Sequence, residues 1–416
     1  MRGGVLEYHR WLWRRRHFFF MEKLWNSNYI KVNIANFMSS FSFMVLAPLL
    51  PLYLSDTFGA DKHTIGVVLS GYTVVALIAR LFSGYITDSF PRKRVLLISY
   101  GVFALFFSFY LGLGALPATL GLTLFTIVRT LHGGPMGLAT TATTTAAIDV
   151  LPSSRRAEGI GYYGISNNLG TAIAPFAGLY AYDLTQSYTV LFALALVAAV
   201  AGFVANSTVH IPVREIAQGK APVSFDRFIL TEAWRQGAMM ACFAFCYGVV
   251  STYLAIYGKE ELGMTTGTGG FFLLLSAGLM TSRLFGARSL RQGRVTHNAG
   301  RGMLVSLVGY TLFAACHNPI GYYGCALLVG LGNGHMYPAT QTMFVNLAPN
   351  SKRGTASSTF LTSWDIGMGI GVIAGGILSE HLGYGAAFWC AAAVNLCGVM
   401  FFFLSARRHF NNKKLR

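Results

Sequence analysis

GYITDSFPRKR, at residues 84–94, separates two apolar runs that are each long enough to cross a bilayer as a helix. The first run covers residues 65–84 and the second covers residues 95–116. The turn carries one acid and three bases, and short basic turns between membrane helices stay on the cytoplasmic side. Gly84 and Asp88 lie one helical turn apart, so a neighbouring helix can approach at Gly84 and meet the Asp88 carboxylate. The sequence therefore predicts a membrane protein with this turn in the cytoplasm.

The overall composition also indicates a membrane protein. Hydrophobic residues make up 54% of the 416 residues and charged residues only 11%, whereas about a quarter of a soluble protein is charged. The net charge of +17 would suggest nucleic acid in a soluble domain, but most bases here fall in short turns between apolar runs. We therefore expect no nucleic-acid partner. The six cysteines lie inside apolar runs without metal-like spacing, so we expect no metal and no cofactor.

Hydropathy predicts twelve membrane spans. The first six cover residues 30–54, 64–88, 95–115, 118–149, 157–182 and 186–208. The second six cover residues 231–258, 265–289, 301–317, 319–346, 354–381 and 384–405.

The polar segments divide the chain into domains. We expect a cytoplasmic tail at 1–28, a first bundle at 29–208, a cytoplasmic linker at 209–230, a second bundle at 231–405 and a cytoplasmic tail at 406–416. An even number of crossings with basic inner loops places both termini in the cytoplasm. We expect the chain in the inner, or plasma, membrane. The basic, aromatic first twenty residues suit a tail on an anionic membrane surface; alternatively, translation starts at Met21.

The two halves repeat each other. ARLFSG at 79–84 is echoed by SRLFG at 282–286, and LPSSRR at 151–156 is echoed by APNSKR at 348–353. Downstream glycines match in the same register. Two halves with the same orientation predict a pseudo-symmetric transporter with a substrate site between them at mid-membrane.

The turn motif resembles the loop between helices two and three of the major facilitator superfamily. Ser89 and Pro91 stand where that family usually has a base and a glycine. The resemblance implies an all-α integral membrane fold, with twelve transmembrane helices in two six-helix bundles. It also implies that Gly84, Asp88 and Arg92 control opening of the cytoplasmic side.

Two further motifs resemble that family. The fourth span holds FTIVRTLHG at 125–133, similar to the helix-four motif whose arginine is tied to proton coupling, which implies that role for Arg129. The fifth span places Gly161, Gly170, Pro175 and Gly178 as in the antiporter motif of the drug/proton branch. Small residues there also make a groove for close helix contact, and the proline can bend the helix.

Charged residues inside spans are candidates for function. Asp365 lies mid-way along the eleventh span and His335 lies in the tenth, so we predict that Arg129 handles the proton together with one of them. A carboxylate paired with a base is the alternative for Asp365. Arg80 and Arg283 lie nearer the cytoplasm, where snorkelling or an ion pair between halves explains them. Asp149 lies near a span end, within reach of Arg155 or water.

Polar and aromatic residues on spans that should face the centre are candidates for substrate binding. They are Asn33, Asn36, Asn167, Asn168, Tyr247, Tyr253, Gln341 and Trp364. Many of them could instead join helices to one another.

The sequence thus predicts a secondary transporter that exports a small organic compound in exchange for protons and acts as a monomer. Proton-coupled uptake of a sugar or organic acid on the same fold is the alternative. A membrane enzyme would need a nucleophile–base cluster or metal ligands near an interface, and the sequence shows no such motif. A receptor would usually add a sizeable soluble domain.

The topology predicts which side of the membrane the turn at 84–94 faces. A cysteine introduced at Ser89, in a chain whose six cysteines have been replaced, should react with an impermeant maleimide only from the cytoplasmic side. Reaction from the exterior, or a number of crossings other than twelve, would contradict the predicted fold.

Overall fold

A computed structural model describes residues 23–47, 49–60, 62–212, 228–264 and 268–415. Within these ranges the chain is helical, and the described residues form no strand. The predicted tail up to residue 22, linker residues 213–227 and Pro48 lie outside the description, as does the side chain of Arg283.

The helices fall into two sets. In the first half they are α1 (Ser27–Met44), α2 (Leu50–Phe58), α3 (Lys62–Ser89), α4 (Arg92–Tyr110), α5 (Ala118–Val150), α6 (Arg156–Thr185) and α7 (Tyr188–Ser207). In the second half they are α8 (Trp234–Glu260), α9 (Thr268–Arg291), α10 (Val295–Ala315), α11 (Pro319–Leu347), α12 (Arg353–Leu382), α13 (Tyr384–Phe401) and α14 (Arg407–Lys413).

Each of the twelve predicted spans contains helix, with differences at two places. The first span is broken between α1 and α2, whereas its counterpart α8 is continuous. The last span runs past the predicted end at 405, because a π-helical segment, Phe402–Ala406, joins α13 to α14. By length and hydropathy, six helical stretches of the described chain could cross a membrane. They are Val67–Ser89, Arg92–Ala115, Tyr188–Ser207, Thr231–Leu254, Asn350–Leu382 and Tyr384–Lys413.

The two halves pack their helices in the same pattern. In the first half α1 packs on α6 and α7, α3 packs on α5, and α4 packs on α5 and α7. In the second half α8 packs on α12 and α13, α9 packs on α11, and α10 packs on α11 and α13. The internal repeat seen in the sequence is therefore a repeat of the fold, and the all-α, two-bundle architecture is confirmed.

Glycines let helices within a half approach to backbone contact. A Cβ added at Gly332 of α11 would lie 2.6 Å from the amide nitrogen of Ser306 and 2.7 Å from the carbonyl oxygen of Gly302, both on α10. Such close crossings suit a membrane, where packing rather than the hydrophobic effect joins helices.

A tyrosine–carboxylate hydrogen bond occurs at matching places in the two halves. The first residue of α7, Tyr188, donates to Asp56 of α2 at 2.6 Å. The first residue of α13, Tyr384, donates to Glu260 of α8 at 2.9 Å. Each bond joins the first and last spans of its own half at the end away from Asp88.

The α10–α11 crossing predicts a difference between two glycines of one helix. Gly332→Ala should destabilise the protein by about 1–3 kcal/mol, since the new methyl group would collide with the α10 backbone. Gly324→Ala is the matched control, because a Cβ there meets nothing within 4 Å. Melting of the purified variants in detergent measures the difference, and equal melting temperatures would contradict the crossing.

Candidate functional site

The end of α3 meets the beginning of α12 across the seam between the halves. Asp88 accepts hydrogen bonds from the backbone N–H groups of Gly354 (2.9 Å) and Thr355 (2.8 Å), and from the Thr355 hydroxyl (3.0 Å). First-turn N–H groups have no partner within their helix and carry partial positive charge, so a carboxylate is stabilised there. Gly84 permits the contact, because a Cβ at that position would lie 2.7 Å from the Thr355 Cα.

Two arginines and a second carboxylate extend this contact. Arg92 donates to Asp88 at 2.8 Å and also to Asp149. Arg353, at the start of α12, donates to Asp149 at 2.8 Å. We call these four side chains the Asp88 clasp. Each is only 8–12% exposed, so each charge depends on its partners for stability.

The sequence predicted that some of the residues at this contact act together, but it did not predict the partners of Asp149. Gly84, Asp88 and Arg92 lie at one contact, as the turn motif indicated. Asp149 does not pair with Arg155, which instead donates to Glu158 at 2.9 Å on the next turn of its own helix. That local pairing leaves Asp149 to bind arginines of α4 and α12.

A second ion pair crosses the seam. Arg80 of α3 pairs with Asp365 of α12 and donates to the Thr140 hydroxyl of α5 at 3.3 Å. The Arg80 side chain is 11% exposed and that of Asp365 is 29% exposed. Of the two explanations for Arg80, the ion pair between halves is the one the structure shows. Asp365 correspondingly has a base as its partner.

Arg129 does not join Asp365 or His335 in this structure. Its guanidinium carbon lies 4.2 Å from the ring centre of Tyr72 and 5.2 Å from that of Phe43, within range of cation–π attraction. No acidic residue of the described chain pairs with it. The structure therefore does not bring Arg129 together with either of its predicted proton-handling partners.

The histidines of α5 and α11, His132 and His335, have separate partners. His335 lies 3.1 Å from the Asn298 amide oxygen through its Nδ1, and Asn298 donates to the His335 carbonyl at 2.9 Å. His132 contacts the Phe103 carbonyl through Nε2 (3.0 Å) and the Tyr110 hydroxyl through Nδ1 (2.9 Å). Because a carbonyl only accepts, Nε2 donates and Nδ1 accepts from Tyr110.

The small residues of α6 serve packing inside the first half. A Cβ at Gly170 would lie 2.7 Å from the Phe37 carbonyl oxygen of α1. A Cβ at Gly178 would collide with the carbonyl oxygen of Val45, the residue that follows α1. The helix continues through Pro175 without a break. Gly161 lies farther toward Asp88, where α6 borders α9 of the other half.

Two of the four asparagine candidates join α1 to α6. Asn36 donates to a backbone carbonyl of α6 at 3.0 Å, and Asn167 donates to the Ser40 hydroxyl at 2.6 Å. Asn33 donates to its own helix at 2.8 Å, and Asn168 is half-buried. Two of the four thus have the helix-joining role that was the alternative.

The aromatic candidates form a group in the second half. The ring of Trp364 lies 5.5 Å from that of Tyr247 and 5.4 Å from that of Tyr337, and all three are half-buried. Gln341 is buried nearby on α11. Tyr253 instead donates to a backbone carbonyl of α12 at 2.8 Å. The aromatic group around Trp364 therefore lies directly beside Asp365 on α12.

The sequence indicated the charged residues of the site but not two of their partners, Arg353 and Tyr72. Arg353 was noted only through the APNSKR repeat, and Tyr72 was not noted at all. The repeat could have suggested Arg353, since it begins α12 as Arg156 begins α6. Tyr72 gives no sequence signal, because its contact with Arg129 depends on the packing of α3 against α5.

Comparison with known proteins agrees with this architecture. The model of the Major Facilitator Superfamily matches residues 32–296 and 293–416. The staphylopine export protein of Staphylococcus aureus is 22% identical over 82% of this chain and 86% of its own length. Multidrug resistance protein MdtG of Escherichia coli is 23% identical over 92% of this chain and 95% of its own.

A solved structure shows the same fold at lower sequence identity. The transporter FucP, described in the outward conformation, superposes with a TM-score of 0.74 at 14% identity, over 92% of this chain and 99% of its own. With a family model that spans nearly the whole chain and two six-helix halves joined at a charged seam, the protein belongs to the Major Facilitator Superfamily of membrane transporters.

Proposed function

We propose that this transporter exports a small organic compound by alternating access, in exchange for protons. The observation that carries the proposal is the Asp88 clasp, a buried charge network that includes helices of both halves at one end of the molecule. A site between the halves stays closed at that end for as long as the clasp holds.

The contacts between halves support an outward-facing state. Beside the clasp, Ser83 lies 3.4 Å from Ser358 across the seam, and Arg80 pairs with Asp365. The Asp88 end also carries the basic loops, such as that at 92–94, and basic loops face the cytoplasm. The closed end is then cytoplasmic, and a central site opens to the exterior.

The hydroxyl groups along the seam favour its reversible opening. Thr141 and Thr145 of α5 donate to carbonyls one turn earlier in α5, and Thr359 and Ser363 do the same in α12. Because these groups are satisfied within their own helices, they lose no partner when the halves separate. The contacts of the Asp88 clasp, the Arg80–Asp365 pair and the contacts of Ser358 with Ser83 and the Arg80 carbonyl must be exchanged for water.

Proton coupling is assigned to Asp365. A carboxylate that is part-exposed at mid-membrane can reach water in the cavity, and its ion pair with Arg80 holds the seam closed. Protonation removes the negative charge and releases Arg80, which weakens the seam and favours opening to the cytoplasm. Loss of the proton there lets the compound bind from the cytoplasm. The restored Arg80–Asp365 pair then returns the protein to the outward-facing state with the compound bound.

Export is the direction favoured by the relatives. The printed names of the staphylopine and MdtG proteins describe export and drug resistance. The antiporter-like arrangement of Gly161, Gly170, Pro175 and Gly178 on α6 points the same way. Uptake with protons remains the competing outcome of the transport experiment below.

Loss of the Asp88 charge should open the cytoplasmic side. Ser358→Cys, in a chain without its native cysteines, places a thiol at a seam position that is fully buried here. Asp88→Asn removes the charge that holds Arg92 and the start of α12, so the thiol should react with an impermeant maleimide about tenfold faster from the cytoplasmic side.

Asp56→Asn is the matched control for this labelling. It also removes a hydrogen-bonded carboxylate, but at the opposite end and within one half, so the labelling rate should not change. An unchanged rate in Asp88→Asn, or an equal rise in both variants, would disprove the gating role of the clasp.

Loss of the Asp365 charge should uncouple transport from protons. In liposomes containing the protein and the pH dye pyranine, a compound that raises the melting temperature of the purified protein should alkalinise the lumen as it enters, since protons leave in exchange. Asp365→Asn should abolish the pH signal and uphill transport, while exchange of the compound down its own gradient continues.

The same assay separates export from uptake. Acidification of the lumen on entry of the compound would show co-transport and overturn the antiport proposal. Uphill transport by Asp365→Asn with an unchanged pH dependence would show that Asp365 is not the proton site. Asp56→Asn again serves as the control and should keep the wild-type signal.

A further inference from the structure

The first half contains a buried arginine without a counter-charge. Arg129 is 3% exposed, and its Nε and Nη1 groups have no hydrogen-bond partner within the described chain. The hydroxyl of Tyr72, whose ring lies against the guanidinium, also lacks a partner there. Three adjacent donor groups therefore have no partner among the described residues.

The surroundings of Arg129 compensate its charge only in part. A guanidinium does not lose its proton in a protein, and the rings of Tyr72 and Phe43 attract it through their faces. These rings stack on each other with centres 5.0 Å apart, and a ring face accepts no strong hydrogen bond. The N–H groups still require an acceptor.

Arg129 lies on the open side of the closed seam. Tyr72 precedes Arg80 on α3 by about 12 Å of helix, and Arg129 precedes Thr140, a contact of Arg80, by about 16 Å on α5. The guanidinium therefore lies farther from the Asp88 end than the Arg80–Asp365 pair. In the outward-facing state proposed above, it lies on the exterior side of the closed seam.

The charges at this depth do not balance. The Asp365 carboxylate is paired with Arg80, and Tyr72 lies within electrostatic range of both Arg80 and Arg129. Among the described side chains this region therefore carries one positive charge in excess. One negative charge from a ligand would neutralise it.

His132 orients this arrangement. Since its Nδ1 accepts the Tyr110 proton, the Tyr110 oxygen is left to interact with Arg129. The histidine is fixed in turn by the Phe103 carbonyl. Arg129 is thus held in place by neutral groups, with donors left for another molecule.

We propose that Arg129 and the Tyr72 hydroxyl bind the carboxylate of an amphipathic organic anion, an inference that rests on the transport function proposed above and names its substrate class. One guanidinium and one hydroxyl match a single delocalised negative charge, whereas a phosphate dianion would require several convergent bases. The rings of Phe43 and Tyr72 suit an apolar or aromatic body attached to that carboxylate.

Three naphthalene probes that differ in one group test this site. Calorimetric titration of the purified full-length protein should show that 2-naphthoate binds about tenfold or more tightly than 2-naphthamide, and more tightly than 2-naphthylmethylammonium. Arg129→Gln should abolish this preference. Tyr72→Phe keeps the ring over the guanidinium but removes the hydroxyl, so it should weaken naphthoate binding without affecting the amide.

Arg235→Gln is the matched control. That arginine also lies over an aromatic ring, at 5.4 Å from Trp234, and its Nε also lacks a partner in the described structure, but it lies at the beginning of α8, away from Arg129. The variant should keep the naphthoate preference. If Arg129→Gln fails to fold, Tyr72→Phe and Arg129→Lys carry the test, and Lys should retain part of the preference.

The outcomes distinguish this inference from the transport proposal. No preference for naphthoate in the wild-type protein, tighter binding of the ammonium probe, or unchanged naphthoate affinity in Tyr72→Phe and Arg129→Gln overturns the carboxylate site. Proton-coupled transport of the ammonium probe would do so while the transport function stands. Arg129-dependent binding of naphthoate without any transport would leave the site intact and refute the function.

Discussion

A carboxylate placed at the first turn of a helix from the other half is the contact on which the closed state depends. Asp88 has little water around it, so its charge is stabilised by the α12 backbone and by Arg92 rather than by solvent. When the halves separate, water replaces these partners. The carboxylate has hydrogen-bond partners when the seam is closed and when it is fully open to water, but fewer at intermediate separations. This favours two discrete states of the protein.

The contacts inside each half are of a different kind from those between halves. Within a half, glycines such as Gly332 allow helix backbones to come into close van der Waals contact. Between halves, the seam relies on ion pairs and on hydrogen bonds such as those that Asp88 and Ser358 make across it. Lipid cannot replace the close backbone packing within a half, so each half stays intact. Water can replace the polar contacts between the halves, so the halves can separate.

The sequence predicted what is encoded locally. Span positions follow from hydropathy, the Gly84–Asp88 contact from one helical turn of spacing, and the two-bundle fold from the repeat. The pairing of Arg80 with Asp365 could not be chosen in advance, because it depends on how two halves meet across a long separation in sequence. The same holds for Asp149, which lies near Arg155 in the chain but bonds to arginines from other helices. Asn36 and Asn167 have the polarity expected of a cavity wall, and only packing shows that they bridge α1 and α6.

The break between α1 and α2 makes the two halves mechanically unlike despite their common plan. In the first half α1 ends at Met44 and the outer segment α2 begins at Leu50, and α2 is hydrogen-bonded to α7 through Asp56 and Tyr188. The corresponding α8 is one continuous helix from Trp234 to Glu260. A change of angle between α1 and α2 would therefore move the outer segment of the first half together with the start of α7, and the second half has no matching helix junction within α8.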